Sequence, residues 1–169
     1  MADTPNEAAA DEGEAKATNG SGAKDGEAPS MRILAQYLKD FSFENPAAPE
    51  SLMNHNAQPQ IDISVNVNAK AMAKTDFEVE LQLEAKASDK DAVVFAVEIL
   101  YAGIFRLENI PEEQLHALVL IECPRMLFPF ARHILADATR NGGFPPLMID
   151  PIDFNAMYRQ RIAQEKASV

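Results

Sequence analysis

Tryptophan is absent from this 169-residue chain and cysteine occurs once, at Cys123. No disulfide can close within one copy, which suits a reducing compartment. No apolar run approaches the ~18 residues that a membrane-spanning helix needs, and the N-terminus has no apolar signal-peptide core. The three histidines, His55, His116 and His133, stand outside any nucleophile motif, and neither a Gly-rich phosphate loop nor a CxxC pair occurs. Basic residues are also scarce, 15 against 26 acids, for a net charge of -11. An acidic surface repels phosphates and anionic headgroups, so it disfavours nucleic acid and bare membrane and favours basic protein segments. The first thirty residues lack aromatics, Leu, Ile and Val and carry seven acids against two lysines. With so little to bury they are expected to form a disordered acidic tail, leaving 31–169 as one domain. A soluble cytoplasmic protein is the expectation.

What is present divides by period. Asp76 to Ala87 (DFEVELQLEAKA) alternates strictly, with Phe77, Val79, Leu81, Leu83 and Ala85 on one face and acids and Gln82 on the other. Ile61 to Ala69 alternates in the same way, and the two read as neighbouring antiparallel strands. Ala92 to Leu107 is apolar on both faces, with Val93, Phe95, Val97, Ile99 and Tyr101 on one side. Such a strand is either central and covered or lies at a subunit contact, and the contact is the reading taken. Met31 to Glu44 fits a helix through Leu34, Tyr37, Leu38 and Phe41, or a strand through Ile33, Ala35, Tyr37, Phe41 and Phe43; the FSF pattern favours strand from Tyr37 onward.

Helical spacing begins at Pro111, a good first helical residue beside Glu112 and Glu113. Pro124 and Pro129 each remove a donor, at ~3 kcal/mol in a straight helix, so a bend or break is expected near them. Asn141, Gly142 and Gly143 supply left-handed residues to end it. Asp153 caps a last helix with Phe154, Met157, Tyr158 and Ile162 on one stripe. Strands followed by helices imply an α+β fold, an antiparallel four-stranded sheet with helices packed on one side.

Little in this chain points to catalysis. Glu113 and His116 form an ExxH spacing that can ligate iron in helical bundles, but a di-iron site needs a second such helix and the sequence has none. Both read as surface or interface residues. Cys123 reads as a small buried hydrophobe rather than a reactive thiol. The feature that stands out is NGGFPPLMIDPIDF (Asn141 to Phe154), rich in proline and glycine yet strongly apolar.

The block IECPRMLFPFARHILADATRNGGFPPLMIDPIDFNAMY, with DFSFENPAAP and the GIF of Gly103 to Phe105 upstream, resembles the SecB family of bacterial export chaperones over roughly Tyr37 to Ile162. The resemblance implies a homotetramer, a dimer of dimers, that binds unfolded precursor proteins without ATP, cofactor, metal or catalytic residue and passes them to the motor SecA. NGGFPPLMIDPIDF then becomes a crossing segment whose Phe144, Leu147 and Met148 line one wall of a client groove. Phe95, Phe105, Phe128 and Phe130 are expected on the facing wall. Methionine and aromatic side chains adapt to many guests. Asp40, Glu44, Glu78, Glu80 and Glu98 are expected on the outward sheet face, where the resemblance implies that Asp40, Glu44 and Glu98 contact the basic, zinc-carrying end of SecA. A small apolar-ligand-binding α+β domain is the alternative, for which convergent polar anchors would be expected in place of a proline-rich wall.

Overall fold

Strict alternation in the middle of the chain produces the expected hairpin. In the computed structural model, which describes residues 28–53, 58–90 and 92–167, β2 (Gln60–Ala71) pairs antiparallel with β3 (Asp76–Asp89), Ile61 opposite Ala87 and Val67 opposite Leu81. The acidic tail as far as residue 27, and His55, lie outside the described residues. β4 (Ala92–Glu108) follows, and β1 (Ser30–Glu44) closes the sheet in the order β1-β4-β3-β2. β4 therefore runs in the interior of the sheet, between β1 and β3. It is central, one of the two readings the sequence allowed, and the long helix that follows covers its face of Ile99 and Phe105 while Leu100 and Ile104 on the other face stay half-buried.

Two bulges explain why β1 was ambiguous. Register slips between Ile33 and Ala35 and between Leu38 and Asp40, so Leu34 and Lys39 are extra residues. The side chains that share the face of Phe105, Tyr101 and Ile99 are then Ile33, Leu38 and Phe41, an uneven spacing that imitates a helix. The strand also begins seven residues before Tyr37, at Ser30. A third slip, between Ala87 and Ser88, sets Val93 opposite Ser88 and makes Val94 the extra residue. Val93 thereby leaves the face of Phe95, contrary to simple alternation.

Helix α2 (Glu112–Asn141) is capped by Pro111 and runs 30 residues without interruption through Pro124 and Pro129. The expected break does not occur. The helix lies across β4, β3 and β2, burying Leu120, Cys123, Leu127, Ala131 and Leu135, and Pro124 is itself fully buried. This packing offsets two missing backbone bonds. Gly103 permits the close approach, since a Cβ there would sit 2.9 Å from the Leu127 side chain. The core consists of Val79, Leu81, Leu83, Val97, Ile99 and Phe105 beneath α2. Burial pushes the Cys123 thiol up to about 12, so it is neutral and inert at ordinary pH. α1 (Glu50–Met53) is a single turn after β1, and α3 (Phe154–Ala167) is opened as expected by Asp153, whose carboxylate accepts from the Ala156 N–H at 2.9 Å.

Candidate functional site: an apolar cleft and an acidic sheet face

The proline-rich segment crosses from α2 to α3 without regular structure, held by groups that replace a hydrogen-bond ladder. The Thr139 hydroxyl, fully buried, donates to the carbonyls of Leu135 and Ala136 and accepts the Leu147 N–H at 2.9 Å. Phe144 N–H bonds the Thr139 carbonyl at 3.1 Å. At the end of α2, Gly142 is αR, and only Gly143, at φ 91, takes the left-handed conformation expected of this stretch. Gly142 is needed for a different reason: a Cβ there would collide with the Phe43 ring. Asn45 Nδ2 reaches the Gly142 carbonyl at 3.1 Å, tying the β1–α1 connection to the same turn.

The crossing segment and the sheet enclose a cleft of about 670 Å³. Phe144 and Leu147 form one wall, Phe95, Val94 and Ile61 the sheet side, and Leu52 with Pro59 an end. Phe95 and Phe144 rings meet at 4.9 Å, and Phe43 stacks on Phe95 at 6.1 Å. Among the described residues, the charged side chains on the lining are Glu50 and Asp89. Of the seven groove residues expected from sequence, Phe95, Phe144 and Leu147 are brought together here. Phe105 is 0% exposed in the core, and Phe128 is buried edge-on against Phe154. Phe130, 49% exposed, stacks on Tyr101 at 6.1 Å, and Met148, 60% exposed, lies outside the lining. The sequence reading missed Leu52, Phe43 and Thr139; alternation with Phe41 marked Phe43 as helix-facing, whereas nothing local marked the other two.

The opposite face of the sheet is bordered by α3, whose Gln160, Arg161 and Gln164 line a pocket with Glu80 and Gln82, and it carries exposed acids farther from that helix. Register sets Asp40 opposite Leu100, Ser42 opposite Glu98 and Glu44 opposite Ala96, with Glu84 on the other side of Glu98. All four acids are exposed and share this face. Gln82 Nε2 donates to Glu84 at 2.7 Å and Glu98 at 2.8 Å, holding two like charges across neighbouring strands. Farther along the face the acids are ion-paired. Lys39 Nζ pairs with Glu78 at 2.9 Å and with Glu80, and the Tyr37 hydroxyl donates to Glu78. These bonds hold the Glu78 and Glu80 carboxyls below their usual range and push the Lys39 ammonium up. At the far end Arg106 holds Asp76 in a two-pronged pair at 2.8 Å, which likewise lowers the Asp76 carboxyl. Among the described residues, none of Asp40, Glu44, Glu84 and Glu98 has an ion-pair partner. His116, on the other side, contacts the Tyr158 hydroxyl at 3.1 Å, and the described residues hold no cluster suited to a metal ion.

Comparison with known proteins places the chain in a family. Residues 24–165 match the family described as preprotein translocase subunit SecB. The protein-export protein SecB of Sinorhizobium fredii is 60% identical over 150 residues, 89% of each chain. That of Xanthobacter autotrophicus is 56% identical over 149 residues, 88% of this chain and 96% of the relative. Among solved structures, a SecB-like chaperone of Mycobacterium tuberculosis in complex with an antitoxin peptide superposes with a TM-score of 0.61 at 18% identity, covering 72% of this chain and 90% of that one. The fold and the extent of the match together show that this chain belongs to the SecB family of protein-export chaperones.

Proposed function

We propose that the chain holds extended, non-native precursor segments in the cleft of Phe95, Phe144 and Leu147, without ATP or cofactor, and hands them to SecA from its acidic sheet face. The observation that carries this reading is the cleft itself. It is apolar and open at the surface, with room for several side chains but not for a folded domain. Burial of apolar area contributes ~25 cal/mol per Å² whatever the order of side chains, so capture follows exposure rather than sequence. A folded protein offers little such surface and is released. The mycobacterial SecB-like chaperone was solved with a peptide of another protein, which fits a role in holding segments of partner chains.

Phe105, ten residues along β4 from Phe95, and Phe128, packed on Phe154, belong to the core and are left out of the proposed wall. Assembly follows from a second apolar surface. Ile33, Leu38 and Phe41 on β1, with Met126 and Phe130 on α2, are 40–49% exposed on the helix side of the sheet, where α2 leaves the edge strand uncovered. A further copy covering this strip forms a dimer, and a second, different contact joins two dimers into the proposed homotetramer. Docking of SecA is assigned to Asp40, Glu44 and Glu98, on the cytoplasmic side of the membrane. The test separates the two faces: reversing Asp40 and Glu44 to Lys should abolish binding of the basic C-terminal segment of SecA at low salt while leaving suppression of precursor refolding intact. Equal SecA affinity for variant and parent would move the docking site elsewhere, and loss of refolding suppression would place clients on the acidic face.

A further inference from the structure

Lys39 occupies an unusual place. It is the extra residue of the second β1 bulge, so it has no opposite number on β4, and its side chain reaches across β4 to Glu78 and Glu80 on β3. The crossing is possible because the β4 residue between them is Ala102, 0% exposed and too small to block the path; Tyr37 takes the same route to Glu78. One cation of the chain thus sits where a basic partner would otherwise sit. The adjoining residue, Asp40, begins the stretch in which no acid has such a counter-ion.

We propose that Lys39 sets the boundary of the partner-docking surface, withdrawing Glu78 and Glu80 from it and confining a basic segment to Asp40, Glu44, Glu84 and Glu98. This rests on the reading that the acidic face docks a basic partner. A flat sheet carrying acids along its whole length would let a cationic peptide bind in many registers. Lys39 counters the acids of one half; in the other, Lys86 lies across Ala96 from Glu44 but forms no ion pair among the described residues, so the acids there stay available to the peptide. Lys39 is a specificity residue here: it repels the wrong register and makes no contact with the partner.

The probe is a hexalysine peptide, titrated by calorimetry into the full chain at low salt. In Lys39→Met the alkyl cover over Ala102 stays and the charge goes, which leaves Glu78 and Glu80 without their ion pair, held only by Tyr37, Asn68 and the neighbouring Lys70. Exposed pairs of this kind are weak, so the affinity should rise by about threefold, with a second weaker peptide bound per chain, and the gain should vanish at ~0.5 M salt. Lys39→Gln should behave alike, which guards against a folding defect in one variant. Arg125→Met, on α2 at the other side of the sheet, changes net charge equally and should change affinity by less than about 1.3-fold. No gain in either Lys39 variant, or an equal gain in Arg125→Met, would overturn the boundary role. The underlying docking reading is tested separately by Asp40→Asn with Glu98→Gln, which should lower parent affinity by about tenfold; an unchanged affinity would sink that reading on its own.

Discussion

Replacing Phe144 with Ala and, in a second variant, Phe105 with Ala should separate wall from core, because the two rings stand in opposite environments. Phe144 is half-buried against Phe95 at 4.9 Å and faces the cleft. A ring of ~200 Å² in that state leaves on the order of 50 Å² for a guest, which at ~25 cal/mol per Å² is ~1.2 kcal/mol, or about eightfold in affinity. The folded chain loses an aromatic pair of ~0.5–1.5 kcal/mol. Phe105 is 0% exposed and packs under Leu127 and Gly103, so its truncation opens a cavity and costs ~3–5 kcal/mol of stability. It offers a guest no area at all. The assay is fluorescence titration with an unfolded precursor, paired with thermal unfolding of each variant. Phe144→Ala should bind about eightfold more weakly and melt close to the parent; Phe105→Ala should melt far lower yet bind normally at temperatures where it is folded. The opposite pattern, or equal binding by Phe144→Ala and parent, would refute the assignment of the wall.

Thr139→Val should strand the buried Leu147 N–H, cost ~1–3 kcal/mol in thermal unfolding and loosen the crossing segment, read as faster amide exchange at Leu147. Acid should destabilise the sheet face in a defined sense. The carboxyls of Asp76, Glu78 and Glu80 are lowered by folding, so their contribution is complete above ordinary carboxylate values and is lost as pH falls through the depressed folded ones. Lys39→Met should flatten that acid limb of the melting curve, and an unaltered limb would show the pairing to be idle. Light scattering should give about four times the 18.5 kDa chain mass, with Phe41→Glu shifting it downward; a stable monomer of the parent at micromolar concentration would contradict the apolar strip as an interface.

Legibility in the sequence followed periodicity. β2 and β3 were readable because twelve residues alternate without a bulge, and one register slip at Val94 was enough to misplace Val93. β1 hid behind two bulges whose extra residues imitate helical spacing. The prolines of α2 misled because local propensity carries no information about the sheet that supports the helix. The cleft was partly readable: Phe144 and Leu147 lie in a segment whose prolines exclude pairing, so its apolar side chains needed another use. Position along the strand was not readable as function, since Phe95 and Phe105 stand ten residues apart on one face and are both buried, 3% and 0% exposed, yet only Phe95 borders the cleft. Lys39 gave no signal either, because its role depends on Ala102 and Glu80, each brought to it by pairing across distant sequence.

The claim that this chain holds unfolded precursors is met most directly by one experiment, refolding of a denatured slow-folding precursor in the presence of the parent chain and of the Phe144→Ser, Leu147→Ser variant. The parent should arrest refolding at stoichiometric protein without added nucleotide, and the variant should release most of the precursor to fold at its own rate while retaining the assembly mass of the parent. Refolding at the free rate in the presence of the parent, or equal arrest by the variant, would contradict the cleft as the site of capture.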